Sequence, residues 1–279
     1  MAQDGAKAAT ENDSPLVLCE IRDGVGYATI NRPDSRNALA APVREALLTF
    51  LDEVRGRPDV RAVVIGAAGK GFIAGGDVKG FAMGLKLPAA ERADDMKTRA
   101  MGAAKVIRAI HELPQPVVVS ARGLAVGIGA SVIFAADLAI VSDTAKVGLT
   151  HVTLGISPDG GATHFLPRLT GLKRAMQVAL FGEMLTASEL LDMGLVNFVV
   201  PDDQLEARTA TLAAKLAAGA AKAQQETKRL IRGGENLDLE TQLAAEGEAL
   251  RRCAETDDWV EGLGAVLERR PARFGGLKD

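Results

Sequence analysis

The chain has 279 residues, of which 47% are hydrophobic, 25% are charged and only 4% are aromatic. This size and balance are typical of one large globular domain, or of a core domain with a helical extension, built mainly from aliphatic side chains. The formal net charge of −3 lacks the strongly basic character that is usual in nucleic-acid-binding proteins, so no nucleic-acid partner is expected.

The beginning of the chain and its cysteines indicate no export and no membrane attachment. Residues 1–14 are polar and alanine-rich and lack the apolar segment of a signal peptide, so we expect a disordered tail. No apolar run is long enough to span a bilayer. Cys19 and Cys253 are far apart and do not have metal-ligand spacing, which favours two buried, reduced thiols, no metal and a cytoplasmic protein.

The predicted elements begin with a β-hairpin. Residues 16–22 and 26–31 alternate apolar and polar side chains around the turn residues Asp23 and Gly24. Helical spacing of apolar residues and short apolar runs then alternate along the chain. They predict helices over residues 42–55 and 87–113, and buried strands over residues 60–66, 117–120 and 138–142.

The pattern becomes mostly helical after residue 166, apart from one short strand predicted at residues 196–200. Helical periodicity continues over residues 202–216, 224–231, 239–254 and 259–268. We therefore predict an α/β fold with a largely parallel sheet in residues 15–200, followed by a C-terminal helical region in residues 201–279.

Two glycine-rich loops, residues 71–77 and residues 123–130, each follow a predicted strand. Glycine lets a backbone approach a ligand closely, and a helix that begins after such a loop presents unpaired N–H groups and the positive end of its dipole. Two such N–H groups directed at one point would stabilise an oxygen that gains negative charge during a reaction.

Nucleotide-binding motifs also place glycine-rich loops before helices, but neither of the common ones fits these loops. A dinucleotide-binding motif is not met, because Gly127 and Gly129 are followed by Val132 where glycine is needed. A nucleotide P-loop is not met either, since Lys70 is followed by Gly71 and not by Ser or Thr. Tight turns that serve only packing remain an alternative for each loop taken singly.

Taken in order, these segments resemble the crotonase (enoyl-CoA hydratase/isomerase) superfamily over nearly the whole chain. The resemblance is carried by motifs in residues 31–39, 72–77, 123–129, 154–171, 186–196 and 261–274. It implies a crotonase-like spiral of ββα units with a helical C-terminal trimerisation region, in a homotrimer or a dimer of trimers. It also implies an acyl-CoA thioester substrate and no cofactor, because coenzyme A is part of the substrate.

The resemblance also implies roles for the residues of the two loops. By position, the oxyanion donors are expected to be the N–H groups of Ala74 and Ile128. The segment expected to lie along the bound thioester and pantetheine consists of Ala74, Gly75, Gly76 and Asp77. The Asp77 side chain is expected to hold its loop or to cap the helix that follows.

Three further residues are expected to bind the coenzyme. The resemblance implies that Arg36 and Ala38 lie near the nucleotide end of CoA. Phe274 is expected to close that pocket, either from its own chain or from a neighbouring subunit.

The chain departs from typical hydratases of this family at two positions. Those enzymes carry two glutamates that hold and activate water, and this chain has Ser131 and His151 at the matching positions. Water addition needs a base beside the water and a proton source for the α-carbon, each contributing roughly 10²–10⁴-fold to the rate. The absence of both carboxylates favours a reaction that does not use water.

Asp159 is the acid that remains in the motif, and an aspartate at this place is found in isomerase-like members of the family. One carboxylate is sufficient to remove a proton at C2 of a 3-enoyl-CoA and to return it at C4. The alternative is that Asp159 caps the helix beginning near Gly160. His151 has two interpretations as well, a base near neutral pH or a hydrogen-bonded pocket residue.

Three hypotheses follow. The favoured one is an enoyl-CoA isomerase with Asp159 as the base. The second is an enoyl-CoA hydratase that uses His151 or Asp159 with bound water. The third is a non-catalytic acyl-CoA-binding subunit, motivated by the missing glutamates.

Overall fold

The computed structural model describes residues 14–276, apart from the side chains of Val78 and Lys79. The strands are β1 (Val17–Arg22), β2 (Val25–Ile30), β3 (Ala62–Ala67), β4 (Val117–Ala121), β5 (Leu124–Val126), β6 (Leu138–Ser142), β7 (Lys146–Gly148), β8 (Met184–Thr186) and β9 (Phe198–Val200). The first seven helices are α1 (Ala41–Arg55), α2 (Val78–Gly84), α3 (Ala89–His111), α4 (Ile128–Ala135), α5 (Ala162–Thr170), α6 (Leu172–Phe181) and α7 (Ala187–Asp192). The last four within the described residues are α8 (Leu205–Ala217), α9 (Ala221–Gly234), α10 (Leu239–Ala254) and α11 (Asp257–Glu268).

The strands form two sheets. The larger has the order β1-β2-β3-β4-β6-β9, in which β1 and β2 are antiparallel and the other neighbours are parallel. The smaller has the order β5-β7-β8. Twice within residues 14–276 the chain places one strand in the large sheet, the next in the small sheet and then an α-helix, in β4-β5-α4 and in β6-β7-α5. This repeat confirms the predicted α/β fold with its spiral of ββα units.

Both faces of the central strands are buried, which explains why their sequences are continuous apolar runs. In β3, Val63 and Ile65 pack into the main core, whereas Ala62 and Val64 face a second cluster on the other side of the sheet. That second cluster is closed by Leu205, Ala213 and Ala217 of α8. Helix α8 therefore packs directly on the sheet, although it belongs to the predicted C-terminal helical region. The predicted boundary at residue 200, between the core and that helical region, stays a prediction.

A charged cluster attaches helix α9 to the core. The Asp137 carboxylate accepts hydrogen bonds from Lys228 Nζ at 2.6 Å and from Arg232 Nη2 at 2.6 Å. Arg232 also donates to the backbone carbonyls of His111 and Ala135. These contacts satisfy partly buried charges, which would otherwise be costly at this depth.

Two expectations need correction. Cys19 is exposed and Cys253 is half-buried, because β1 is an edge strand with one face outside the core and α10 lies at the surface. The two cysteines are free thiols, as expected.

The helix predicted over residues 87–113 corresponds to α3, but the preceding short helix α2 was missed. The predicted tail lies outside the described residues except for Ser14. In residues 14–276 no helix is both long and apolar enough to cross a membrane.

Candidate active site

A cavity of about 350 Å³ lies where the two glycine-rich loops meet helices α1 and α3. Seven residues singled out in the sequence contribute to its wall: Ala74, Gly75, Gly76, Asp77, Ile128, His151 and Asp159. They come from segments far apart in the chain. The fold therefore brings the first loop, the second loop and the candidate acid to one place.

The early motif, residues 31–39, acts as a scaffold for the first loop. Asn37 is buried, and its side-chain amide donates to the carbonyl oxygens of Ala68 and Gly71, both at 2.9 Å. The N–H of Leu39 donates to the carbonyl of Gly75 at 3.1 Å. A buried side-chain amide with satisfied partners orders a backbone that has no regular structure of its own.

One of the two expected oxyanion donors is wrong. The N–H of Ala74 donates to the carbonyl oxygen of Arg36 at 3.1 Å, so this donor is already used within the fold. Two residues further along, the N–H of Gly76 donates to no acceptor among the described residues. The sequence motif located the loop correctly but could not indicate which of its N–H groups was free.

The second loop presents its N–H at the start of a helix. Ile128 is the first residue of α4, and within the described part of the chain its N–H has no acceptor. The N–H of Val126 donates to the carbonyl of Ile73 at 2.8 Å, which joins the two loops. Gly129 makes this approach possible, because a side chain there would collide with the Ile73 carbonyl oxygen. The free N–H groups of Gly76 and Ile128 thus belong to loops in direct contact, and both residues line the cavity.

Asp77 does not cap helix α2 with its side chain. It occupies the N-cap position, but its carboxylate accepts no capping hydrogen bond from the described residues. The carboxylate is instead turned toward Gly80, where a Cβ atom would lie 2.8 Å from Asp77 Oδ2.

Asp159 and His151 form a pair beside the cavity. His151 lies in a short 3₁₀ helix, Thr150–Leu154, and its Nε2 atom is 3.3 Å from Asp159 Oδ1. His151 is 8% exposed, and its Nδ1 atom is buried without a hydrogen-bond partner in the described structure. The Asp159 side chain is 35% exposed, so one side of the carboxylate remains open to the cavity.

A capping role for Asp159 is not supported. The N-cap residue of α5 is Gly161, and among the residues described no side chain makes a capping bond at that end. Asp159 contributes only its backbone carbonyl, which accepts from the N–H of Ala162 at 3.2 Å. The Asp159 carboxylate is therefore not used to cap helix α5.

Ser131 is not a substrate-binding residue in this structure. Its side chain is fully buried below the cavity wall and is 0% exposed. Its Oγ atom donates to the carbonyl of Asp159 at 3.2 Å, with a longer contact of 3.4 Å to the carbonyl of Gly127. Ser131 thus connects the second loop to the segment that carries Asp159, which is a structural role.

The residues expected at the coenzyme end lie outside the cavity wall. Arg36 is exposed, and its carbonyl holds the first loop, while Ala38 is half-buried in the same scaffold. Phe274 packs near Gly262 of α11, and its carbonyl accepts a hydrogen bond from Arg61. Phe274 does not line this cavity, and its expected closure of the coenzyme end, from its own chain or from a neighbouring subunit, stays a prediction.

The arrangement combines the Asp159 carboxylate with two N–H groups that have no acceptor in residues 14–276. Fixed N–H dipoles stabilise negative charge on an oxygen without reorganising during the reaction. A carboxylate beside that oxygen is suited to move a proton on an adjacent carbon. The site is therefore equipped for enolate chemistry.

The chain is similar to known proteins along nearly its whole length. Residues 20–277 match the family model described as enoyl-CoA hydratase/isomerase. The chain is 32% identical over 264 residues to a short-chain-enoyl-CoA hydratase of Clostridium acetobutylicum, covering 94% of this chain and 98% of that protein. It is 31% identical over 275 residues to a trans-2-decenoyl-(acyl-carrier-protein) isomerase of Streptococcus mutans, covering 95% of this chain and 99% of that protein. An enoyl-CoA hydratase structure from Bacillus anthracis aligns with a TM-score of 0.88 at 31% identity, over 94% of this chain and 100% of that chain.

Proposed function

This chain belongs to the enoyl-CoA hydratase/isomerase family, and from that premise we propose that it is an enoyl-CoA isomerase in which Asp159 transfers the proton. The observation that carries the proposal is the accessible carboxylate of Asp159 in a cavity with the free N–H groups of Gly76 and Ile128. Neither position where hydratases of the family use glutamate holds a carboxylate, since those positions are Ser131 and His151.

The reaction begins with loss of a proton at the carbon between the thioester and the double bond. The Asp159 carboxylate takes the proton from C2 of a 3-enoyl-CoA, and the electron pair moves to the thioester oxygen. The N–H groups of Gly76 and Ile128 stabilise that oxygen, and loss of one such donor typically costs roughly 10²–10³-fold in rate. The protonated Asp159 then returns the proton to C4 as the double bond moves to C2–C3, so no water is consumed.

His151 supports this transfer by holding the carboxylate. With its proton on Nε2, the imidazole donates to Asp159 Oδ1 across 3.3 Å and leaves Oδ2 as the basic atom. The burial of His151 keeps the ring from turning away. A fixed base loses less entropy when it reaches the geometry of proton transfer.

A second candidate function, water addition to a 2-enoyl-CoA, is favoured by the same pair. A histidine and an aspartate in contact are able to hold and activate a water molecule, as the two glutamates do in typical hydratases of the family. The protein named as a hydratase in Clostridium acetobutylicum is similar in length and in sequence. The third possibility, an acyl-CoA-binding subunit without activity, makes no use of the Asp159 carboxylate.

Mass spectrometry in deuterated water separates the three functions. A 2-enoyl-CoA and a 3-enoyl-CoA are incubated separately with the enzyme. Migration of the double bond with deuterium uptake and no gain of water is the result expected for the isomerase. Gain of one water by the 2-enoyl-CoA would overturn the proposal in favour of the hydratase. Tight binding without exchange of any α-proton would identify a binding subunit.

We further propose a homotrimer or a dimer of trimers. The C-terminal helices α10 and α11 leave large apolar side chains exposed, which supports burial against another subunit. The most exposed of them are Leu239, Leu250, Val260, Val266 and Leu267. Light scattering coupled to size-exclusion chromatography tests this, and a monomer at micromolar concentration would contradict it.

A further inference from the structure

Two arginines contribute to the wall of the active-site cavity. Arg44 comes from helix α1 and Arg99 from helix α3. Much of the surrounding wall is apolar, and it includes Phe81, Met96 and Ala103. A guanidinium group stays charged at any ordinary pH, so two of them in a partly enclosed apolar cavity need an explanation.

Arg99 is neutralised by the protein itself. Its Nε atom forms an ion pair with Asp95 Oδ2 at 2.7 Å, one helical turn earlier in α3. The Asp77 carboxylate lies close by as well. Arg99 Nη1 and Asp77 Oδ2 are 2.6 Å and 2.8 Å from the point that a Cβ atom would occupy if Gly80 had a side chain. The Phe81 ring lies 5.6 Å from the guanidinium carbon of Arg99. Arg99 is thus held in place by groups of this chain.

Arg44 differs from Arg99 in lacking a carboxylate partner. Among the side chains that the structure describes, no carboxylate lies within ion-pair distance of its guanidinium, which donates to the backbone carbonyl of Leu39 at 2.9 Å. Nη2 and Nε lie 3.0 and 3.4 Å from the position that a Cβ atom would occupy at Gly102 of α3. The missing side chain at Gly102 thus gives the guanidinium room between α1 and α3.

The electrostatic surroundings of Arg44 favour an added anion. Partial burial lowers the pKa of Arg44 from its ordinary value, and the positive charge of Arg99 lowers it further. Glu45 and Asp77 act in the opposite direction but do not cancel these effects. An anion placed between the two guanidinium groups would relieve the repulsion and replace lost hydration.

The residues of helix α3 that line the cavity show how far Arg99 lies from the proposed base. Met96, Arg99, Ala100 and Ala103 share one face of α3 at helical spacing and line the cavity. Ile107 continues this direction and packs beside Gly161, two residues after Asp159. From Ile107 back to Arg99 is a little over two helical turns, about 12 Å along the axis. Arg99 therefore lies away from the proposed base, and Arg44, whose guanidinium packs beside Gly102, lies between Arg99 and Ile107 along the direction of α3.

We infer that the preferred acyl group carries a carboxylate at the end remote from the thioester, and that Arg44 with Arg99 binds it. The inference rests on the proposed function, in that an acyl-CoA occupies this cavity with its thioester at Gly76 and Ile128. Arginine suits the role because its planar fork donates two parallel hydrogen bonds to one carboxylate. Enzymes that supply this substrate would then act on dicarboxylic acyl-CoA thioesters.

The test compares binding of saturated acyl-CoA pairs of equal acyl length, which needs no turnover. Glutaryl-, adipyl- and suberyl-CoA are titrated calorimetrically against valeryl-, hexanoyl- and octanoyl-CoA. We expect at least one dicarboxylic thioester to bind about 10- to 100-fold more tightly than its monocarboxylic counterpart, as expected for hydrogen bonds between charged groups. Equal affinity within all three pairs would overturn the inference and leave the isomerase proposal intact.

Variants locate the effect. Arg44→Gln is expected to remove most of the dicarboxylic preference, whereas Arg55→Gln, the same charge change at the exposed end of α1, is expected to keep it. Free CoA is titrated as well, because its phosphates are the other anions available. If Arg44→Gln weakens free CoA as much as it weakens the dicarboxylic thioester, Arg44 serves the coenzyme and the inference is wrong. Absence of binding by every thioester would overturn the proposed function together with the inference.

Discussion

The Nε2 atom of His151 lies 3.3 Å from the Oδ1 atom of Asp159, on the wall of a cavity that Gly76 and Ile128 also line. His151 is the buried residue of a short 3₁₀ helix, and Asp159 comes from the loop before α5. The contact makes one unit of two residues that the sequence presented as separate candidates. This site, and the partly buried His111 at the end of α3, support four predictions.

Asp159→Asn is expected to lower kcat for 3-enoyl-CoA isomerisation by about 10²–10⁴-fold, because an amide cannot accept the C2 proton. The substitution preserves the size of the side chain, so affinity for a saturated acyl-CoA is expected to change little. Stopped-flow or coupled assays give kcat, and calorimetry gives the affinity. Asp143→Asn removes an exposed carboxylate elsewhere and serves as the control. Full turnover by Asp159→Asn would rule out this residue as the base.

His151→Ala and His151→Gln are expected to differ. A glutamine keeps an N–H donor close to the position of Nε2, whereas alanine removes the bond to Asp159 and leaves a small void. We expect His151→Ala to lose about 10- to 100-fold in kcat, the value of a hydrogen bond to a charged group. His151→Gln is expected to retain most of the rate. Equal losses in both variants would argue for direct proton transfer by the imidazole, as in the hydratase alternative.

Ile128→Pro removes a single N–H without breaking helix α4. Ile128 is the first residue of that helix, where proline is tolerated because the N–H has no intrahelical partner. We expect kcat to fall by about 10²–10³-fold, the typical loss for one oxyanion donor. Ile128→Val is the control, since it shortens the side chain and keeps the N–H. If both variants have the same kcat and the same thermal unfolding curve, Ile128 is not an oxyanion donor.

The shifted pKa of His111 leads us to expect a lower free energy of unfolding in acid. Burial lowers the pKa of His111 from 6.5 to about 4, and the nearby positive charge of Arg232 contributes in the same direction. Between pH 4 and pH 6.5 the unfolded chain binds more protons at this group than the folded chain does. The contribution of His111 to the free energy of unfolding is therefore complete above pH 6.5 and is lost as the pH falls toward 4. Because the ring is only partly buried, we expect about 1 to 2 kcal/mol from this group.

Denaturant unfolding measured at several pH values checks this prediction. His111→Gln is expected to flatten the decrease in unfolding free energy on acidification. His164→Gln changes an exposed histidine nearby and is expected to leave most of the decrease in place. An NMR titration in which the His111 ring protonates near its ordinary pKa would contradict the prediction directly.

The longer elements could be predicted because each carries its own pattern. The hairpin around Asp23 and Gly24, helix α1 and helix α10 all lie where the alternation or the helical spacing indicated them. The residue pattern missed the strands of the small sheet, since β5, β7 and β8 have three residues each, too few to show an alternation. Helix α2 was missed for a similar reason, because seven residues containing two glycines make a weak helical pattern.

The site residues illustrate the same limit. The motif around Gly75 located the first loop, yet the free donor is Gly76, because the carbonyl of Arg36 takes the N–H of Ala74. Ser131 stands at a position that is catalytic in typical hydratases, yet its Oγ faces the backbone of Asp159 and not the cavity. Neither outcome was visible in the sequence, since each depends on a partner distant along the chain.

Composition, periodicity and ordered motifs were sufficient to predict an α/β fold, the family, both glycine loops and Asp159 as the candidate acid. These features depend on residue type and local spacing, which a sequence contains in full. The packing of the chain alone selected the free N–H groups, paired His151 with Asp159 and placed Arg44 and Arg99 on one cavity wall. Hydrogen bonds and burial arise between segments that meet only after folding, and for that reason they have no signature in any single stretch of residues.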